Sequence, residues 1–371
     1  MVTLQIKRIT LYQVRVPLKK PFITHLQHVK ERESILVEVL DEDGTIGVGE
    51  CVAFSSPWYT EETVETAWDA LENWIIPSIL NKTIHHPDEF DKGVNSIKRH
   101  HMAKSCINHA LWDLYAKKMN SPLWKVIGGK LASIEAGIVV ATSTDETMVR
   151  DIESSITAGY KRVKIKISKS SKPQLFKKII AKYPSILFFA DANGDFTQET
   201  LHILKSFDDC GFTLIEQPFS EQQNKLSAMA QKNMETPFAL DESISSFQDV
   251  EEMVESQSGK IVVMKQGRIG GLSQAIRIHQ RCVEENLPIW VGGMIEFGVS
   301  KAFNMAFASL EGVKFPGDFS SSSHFWEQDL TLQTIDVHKG LISLPSIPGV
   351  GVSWNHDIIE RFLVRIKQFS V

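Results

Sequence analysis

A chain of 371 residues with 43% hydrophobic and 23% charged side chains and a formal net charge of −5 has apolar material for more than one core. It lacks the basic excess expected if nucleic acid or an anionic membrane were the main partner. No run reaches the roughly 18 apolar residues that cross a bilayer, and Cys51, Cys106, Cys210 and Cys282 form no C-x-x-C pair, which fits buried free thiols in a reduced, cytoplasmic protein.

The first stretch reads as strands. Ile9 and Leu11, Val14 and Val16, and Ile35, Val37 and Val39 alternate with polar neighbours, and Asp43-Gly44 marks a hairpin. From Thr60 the period changes to that of an amphipathic helix over residues 60–80 that opens at a Thr cap. A second helix is predicted over 103–119, with Ser121-Pro122 and Gly128-Gly129 beyond it as stop signals. Strands followed by helices suggest an α+β domain over 1–125.

From about Ile134 short apolar strands alternate with helices: GIVVAT, RVKIKI, ILFFAD, FTLIEQP, FALDES, IVVMKQ and PIWVGG, then an eighth strand near 313–318. Helices are predicted over 197–208 and 272–285, among others. This grammar implies a parallel sheet with right-handed crossovers, and seven or eight units favour a closed barrel over 126–330. Residues 331–371 leave the rhythm and are expected to pack back on the first domain.

Ionisable residues recur where those strands end. Lys166, Asp191, Glu216, Asp241 and Lys265 follow one another at intervals of 25, 25, 25 and 24 residues, so each β/α unit contributes one to the barrel face that carries active sites. Singly, an acid after a strand is as readily a helix cap. As a set directly following FFA, TLI and FAL, Asp191, Glu216 and Asp241 point to a metal site. Oxygen-only donors suit Mg²⁺, with Mn²⁺ as a substitute, and Asn193 offers a hydrogen bond behind the ligands. In RVKIKI the lysines Lys164 and Lys166 share one strand face and Val163, Ile165 and Ile167 the other, which turns the lysines into the barrel. Lys265 then faces Lys166 across the acids, and burial with a cationic neighbour is expected to lower a lysine's pKa toward that of a usable base. The chemistry this suggests is removal of a proton from carbon beside a carboxylate whose charge the metal holds.

These residues resemble the enolase superfamily in its muconate-lactonizing-enzyme-like branch, in which a lysine or histidine base works beside Mg²⁺. The resemblance runs over nearly the whole chain, through Gly47-Val48-Gly49-Glu50-Cys51, Ala110-Leu111-Trp112-Asp113-Leu114, Lys164-Ile165-Lys166, Asp191-Ala192-Asn193, Glu216-Gln217-Pro218, Asp241-Glu242-Ser243, Lys265, Gly292-Gly293-Met294 and Pro348-Gly349-Val350-Gly351. It implies an α/β protein with a modified (β/α)₇β TIM-type barrel under an N-terminal α+β capping domain that the C-terminal tail completes. It also implies Asp191, Glu216 and Asp241 as Mg²⁺ ligands, Lys166 and Lys265 as the acid/base pair, and Lys164 assisting Lys166.

Within the branch the chain is most similar to o-succinylbenzoate synthases and their N-acylamino acid racemase relatives, on residues 57–63, Gly292-Gly293-Met294-Ile295-Glu296 and Gly317-Asp318. Gly317-Asp318-Phe319-Ser320 departs from the Asp-x-Asp of dipeptide epimerases. The resemblance implies a lyase of menaquinone biosynthesis, or a racemase working in the same site; a non-catalytic carboxylate-binding protein is the alternative from another class. The specificity loop falls on residues 21–28, with Phe22 and Thr24 as candidate contacts. Gly292, Gly293 and Met294 either shape the succinyl pocket or serve a tight turn. A small-molecule carboxylate is the expected partner, with no nucleic acid or membrane, in a homo-oligomer.

Overall fold

The computed structural model describes residues 2–23, 27–141 and 144–370. Three antiparallel strands open it, β1 (Leu4–Ile23), β2 (His28–Asp41) and β3 (Ile46–Cys51), and the two-residue β4 (Thr83–Ile84) pairs with β1. Gly44 turns the chain between β2 and β3 at φ +89°, a left-handed conformation that costs glycine little. Gly49 is required for space instead: a Cβ there would stand 1.9 Å from the carbonyl oxygen of Cys106. β3 therefore lies directly on the backbone of the nearly all-buried helix His101–Lys118.

The helix read over 60–80 begins after Thr63, whose hydroxyl accepts from the Thr66 N–H, and runs through Val64–Ala70, Leu71–Ile75 and Ile76–Ile79. Its middle turn widens to a π-helix just before Pro77, which has no N–H to give and whose ring crowds the preceding turn. The helix read over 103–119 starts two residues earlier, because the Glu62 carboxylate accepts from the N–H groups of Met102 and Ala103 at 2.8 and 2.9 Å.

Eight parallel strands follow: β5 (Ser133–Val140), β6 (Arg162–Lys166), β7 (Leu187–Asp191), β8 (Leu214–Glu216), β9 (Phe238–Leu240), β10 (Ile261–Met264), β11 (Ile289–Val291) and β12 (Gly317–Asp318). Their order is β11-β10-β9-β8-β7-β6-β5-β12. A parallel bridge from Ile289 to Val313, just ahead of β12, nearly closes the circle. This is the α/β barrel with an antiparallel capping sheet that the sequence suggests. The helix expected over 197–208 is shorter, Leu201–Lys205, and is preceded by a turn in which the Thr197 N–H donates to the Thr200 hydroxyl at 2.8 Å.

The barrel has apolar layers on both sides of its wall. Val163, Ile165 and Ile167 face outward into a cluster with Met148, Ile152, Phe176 and Phe188 from surrounding elements. Phe189, Leu214, Ala239, Ile261, Val263 and Trp290 fill the interior. After β12 the chain adds β13 (Leu341–Ser343), antiparallel to β5, and β14 (Leu363–Ser370), antiparallel to β1 with Arg8 opposite Ser370. Asp113, on the helix under β3, accepts from the N–H groups of both Val48 and Val350 at 2.9 and 2.7 Å, which ties the turn at 348–351 to the first sheet.

Candidate active site

Register builds the site. Lys166 pairs with Asp191 and Asp191 with Glu216, so three members of the ladder stand in one row at the strand ends. Glu216 lies opposite Ala239, which puts Asp241 two residues further along on the same face, and Lys265 directly follows β10. All three acids are buried, at 0–1% exposure.

Lys164 points inward, as the alternation of RVKIKI requires. Its ammonium lies 2.8 Å from Asp318, 3.0 Å from Glu216 and 3.3 Å from Asp191, over the ring of Trp290. Lys166 is nearer the mouth, 2.6 Å from Asp191, and also donates to the amide oxygen of Asn193. Lys265 is 2.7 Å from Asp241 and 2.7 Å from the Tyr59 hydroxyl.

The charges settle on the acids' side. Burial alone would lower Lys164, but Asp318, Glu216 and Asp191 outweigh it and hold its pKa well above the ordinary lysine value. Burial is likewise outweighed at Lys265, by Asp241 and Tyr59, so its pKa is raised. The lowering expected from burial with a cationic neighbour is not found at Lys265, where the Asp241 carboxylate stands 2.7 Å from the ammonium. Among the acids, burial and the charge of Asp191 push Glu216 well above the usual carboxylate range. Asp191 stays low despite burial because of Lys166 and Lys164.

Among the described residues no three acidic, His or Cys side chains are gathered tightly enough to hold an ion as placed; lysine ammoniums bridge the carboxylates instead. The donor set nevertheless fits a hard divalent cation. Three buried carboxylates from three consecutive strands present only oxygen, and Glu216 is pushed up first by burial and then by the charge of Asp191, both of which a cation among them would offset.

Other candidates land differently. Asn193 touches Asp191 only through its backbone N–H, at 3.1 Å, while its side chain links Lys166 to Glu242, donating to the latter at 2.9 Å. Gly292 has no left-handed φ, so a tight turn is not its reason. A Cβ there would stand 2.6 Å from Cε of Lys265, so this glycine makes room for the lysine stem. The Gly293 N–H approaches Asp318 at 3.4 Å, and the Met294 N–H donates to Glu296 at 2.5 Å. Phe22 meets the ring of Phe325 edge-on, 6.4 Å between centroids, and Thr24 lies outside the described residues. Phe22, Gly293 and Met294 line a cavity of about 660 Å³ that reaches Lys164, Lys166, Asp191 and Lys265.

The site also takes in four residues to which the sequence reading gave no part in it. Tyr59, from the capping domain, donates to Asp241 at 3.3 Å and accepts from Lys265 and Arg268. Arg268, one turn beyond Lys265, lies 2.7 Å from Asp241. Arg162 and Asp318 pair at 2.7 Å beneath Lys164. Asp318 had a signal, being an acid at the end of the last strand; the others depend on contacts made only in the folded chain.

Residues 147–358 match the family described as enolase C-terminal domain-like, and residues 6–128 match the mandelate racemase / muconate lactonizing enzyme N-terminal domain. An o-succinylbenzoate synthase of Geobacillus stearothermophilus is 39% identical over 99% of this chain and 97% of its own length. An N-succinylamino acid racemase of Thermus thermophilus is 32% identical over 94% of this chain and 94% of its own length. A crystal structure of an enolase superfamily member from Listeria innocua superposes with a TM-score of 0.96 at 30% identity, covering 99% of both chains.

Proposed function

The chain belongs to the enolase superfamily, in its mandelate racemase/muconate lactonizing enzyme division, and from that premise we propose that it acts as an o-succinylbenzoate synthase. The substrate would be 2-succinyl-6-hydroxy-2,4-cyclohexadiene-1-carboxylate and the product 2-succinylbenzoate, a step of menaquinone biosynthesis. The observation that carries the reading is the row of buried carboxylates Asp191, Glu216 and Asp241 with Lys166 at one end and Lys265 at the other. The same reading divides the chain into a capping domain over 1–125, a barrel over 126–330 and a returning segment over 331–371.

Asp191, Glu216 and Asp241 would hold Mg²⁺. A divalent cation there would supply a positive centre for the charge that develops on the substrate carboxylate, and would claim the carboxylates that otherwise keep the lysines protonated. Lys166, the most exposed of the three lysines with 25% of its side chain accessible, takes the α-proton. Asn193 fixes the position of the Lys166 ammonium, and Lys164, held by Asp318 and Glu216, keeps a positive charge beside it. As the ring hydroxyl leaves, Lys166 returns the proton to it, and the products are water and the aromatic acid. Lys265 stabilises the anionic stage from the opposite side, steadied by Tyr59.

Incubating the protein with Mg²⁺ and the cyclohexadiene precursor yields 2-succinylbenzoate if the reading holds; absence of turnover overturns it. A second reading, N-succinylamino acid racemase, is favoured by one observation: Lys265 has its own hydroxyl and carboxylate partners and is equipped to return a proton on the opposite face. Deuterium uptake and loss of optical rotation with N-succinyl amino acids measure it.

A further inference from the structure

Lys301 is a buried lysine of another kind. It stands on the helix Gly298–Ala308 at 2% exposure, and among the described residues its ammonium has one hydrogen-bond partner, the carbonyl of Ser320 at 3.2 Å. Lys164, Lys166 and Lys265 each have a carboxylate within 3 Å; no carboxylate among the described residues pairs with Lys301. The nearby acids are committed elsewhere. Asp329 accepts from the Gly298 and Leu330 N–H groups and from the Ser322 hydroxyl, and Glu296 from Met294 and Asn304. Burying an ammonium without a counter-charge is costly, and methionine or leucine would fill the same volume without that cost.

Lys301 lines the same cavity as the catalytic lysines, together with Lys19, Lys20 and His324. These basic groups converge: burial first, and then the charges of Lys301, Lys20 and Lys19, hold the His324 imidazolium below its ordinary range. Lys19 itself reaches the carbonyl of Ser323 at 3.1 Å, beside His324. Among the described residues lining the cavity, Lys164, Lys166 and Lys265 are ion-paired with acids, whereas Lys301, Lys19 and Lys20 have no carboxylate partner.

We propose that Lys301 is a specificity-determining residue whose ammonium receives a second carboxylate of the substrate, carried at the far end of an acyl chain, so that dicarboxylates are selected over monocarboxylates. The inference rests on the reading of the lysine–acid row as the centre that acts beside the first carboxylate.

Equilibrium binding tests it without turnover. 2-Succinylbenzoate and its distal amide, the same skeleton with one charge removed, are titrated calorimetrically into Mg²⁺-loaded protein. Wild type is expected to bind the acid at least about tenfold more tightly than the amide. Lys301→Met is expected to erase that preference by weakening the acid alone, and Lys301→Arg to keep most of it. Lys301→Gln is a second neutral variant should methionine disturb the packing. Equal weakening of both ligands, or no preference in wild type, overturns the assignment. If wild type shows the preference and Lys301→Met loses it, but the protein turns over neither the cyclohexadiene precursor nor N-succinyl amino acids, the functional reading falls and the Lys301 assignment stands.

Discussion

The hydroxyl of Tyr59 lies 2.7 Å from the ammonium of Lys265, across 206 residues of chain. The capping domain therefore completes the barrel site as well as covering it. The same oxygen accepts from Arg268 and donates to Asp241, so one phenol links Lys265 to Asp241.

Tyr59→Phe removes those hydrogen bonds and keeps the ring that packs on Phe54 and Trp58. Hydrogen bonds to charged groups contribute about 1.5–3 kcal/mol, so kcat/KM is expected to fall by roughly ten- to a hundredfold while the melting temperature moves by a few degrees. Steady-state kinetics beside a thermal melt decides it, and unchanged kcat/KM would remove Tyr59 from the site.

Lys166→Ala takes away the proposed base and leaves the three acids in place. Exchange of the α-proton, followed by NMR in deuterium oxide, is expected to drop by about 10²–10⁴-fold, with Mg²⁺ affinity little changed. Full exchange in this variant would show that Lys166 is not the base.

Chelation is expected to abolish activity and added Mg²⁺ to restore it. At a hundred times its Kd the ion should stabilise the wild type by about 2.7 kcal/mol. In Glu216→Gln most of that gain should vanish, because the buried site loses one of three anionic oxygen donors. Thermal melts with and without Mg²⁺ report both results; an equal gain in wild type and variant would exclude Glu216 as a ligand.

His109 gives a pH dependence of its own, outside the lysine–acid row. It is fully buried, stacked on Phe303 at 4.1 Å, and burial holds its pKa down to about 3 against a hydrogen bond to Gln266. The unfolded chain takes up this proton near 6.5. Its contribution to stability is thus complete above pH 6.5 and is lost as the pH falls toward 3, at about 1.4 kcal/mol per unit. Between pH 7.5 and 5 the loss should be about 2 kcal/mol, and the stability curve of His109→Gln should be flatter by that amount in denaturant melts. Parallel curves would contradict the assignment.

The ladder was legible because each β/α unit ends its strand on one ionisable residue, and RVKIKI disclosed which face its lysines take through its alternation alone. Which partners each lysine takes was only partly legible. The ladder acids and the strand-end Asp318 carried a signal, but Tyr59 reaches Lys265 across the fold, Arg268 lies outside any strand, and no local pattern reports that carboxylates would outnumber cations around Lys164. Helix boundaries slipped for the same kind of reason: the start at His101 is set by Glu62, about forty residues earlier in the chain. Gly292 was noticed as a glycine, but its purpose is the stem of Lys265, a neighbour supplied by the adjacent strand.

The pairing of Arg8 with Ser370 sets an order of events during translation. At roughly 5–20 residues per second, the ribosome needs about twenty to seventy seconds to make the chain between those two partners. For that time β1 presents an unpaired edge, while the whole barrel emerges and has the opportunity to close. Among the described elements the capping sheet is therefore finished after the barrel, and a nascent chain stalled short of β14 would carry a catalytic barrel beneath an unzipped cap.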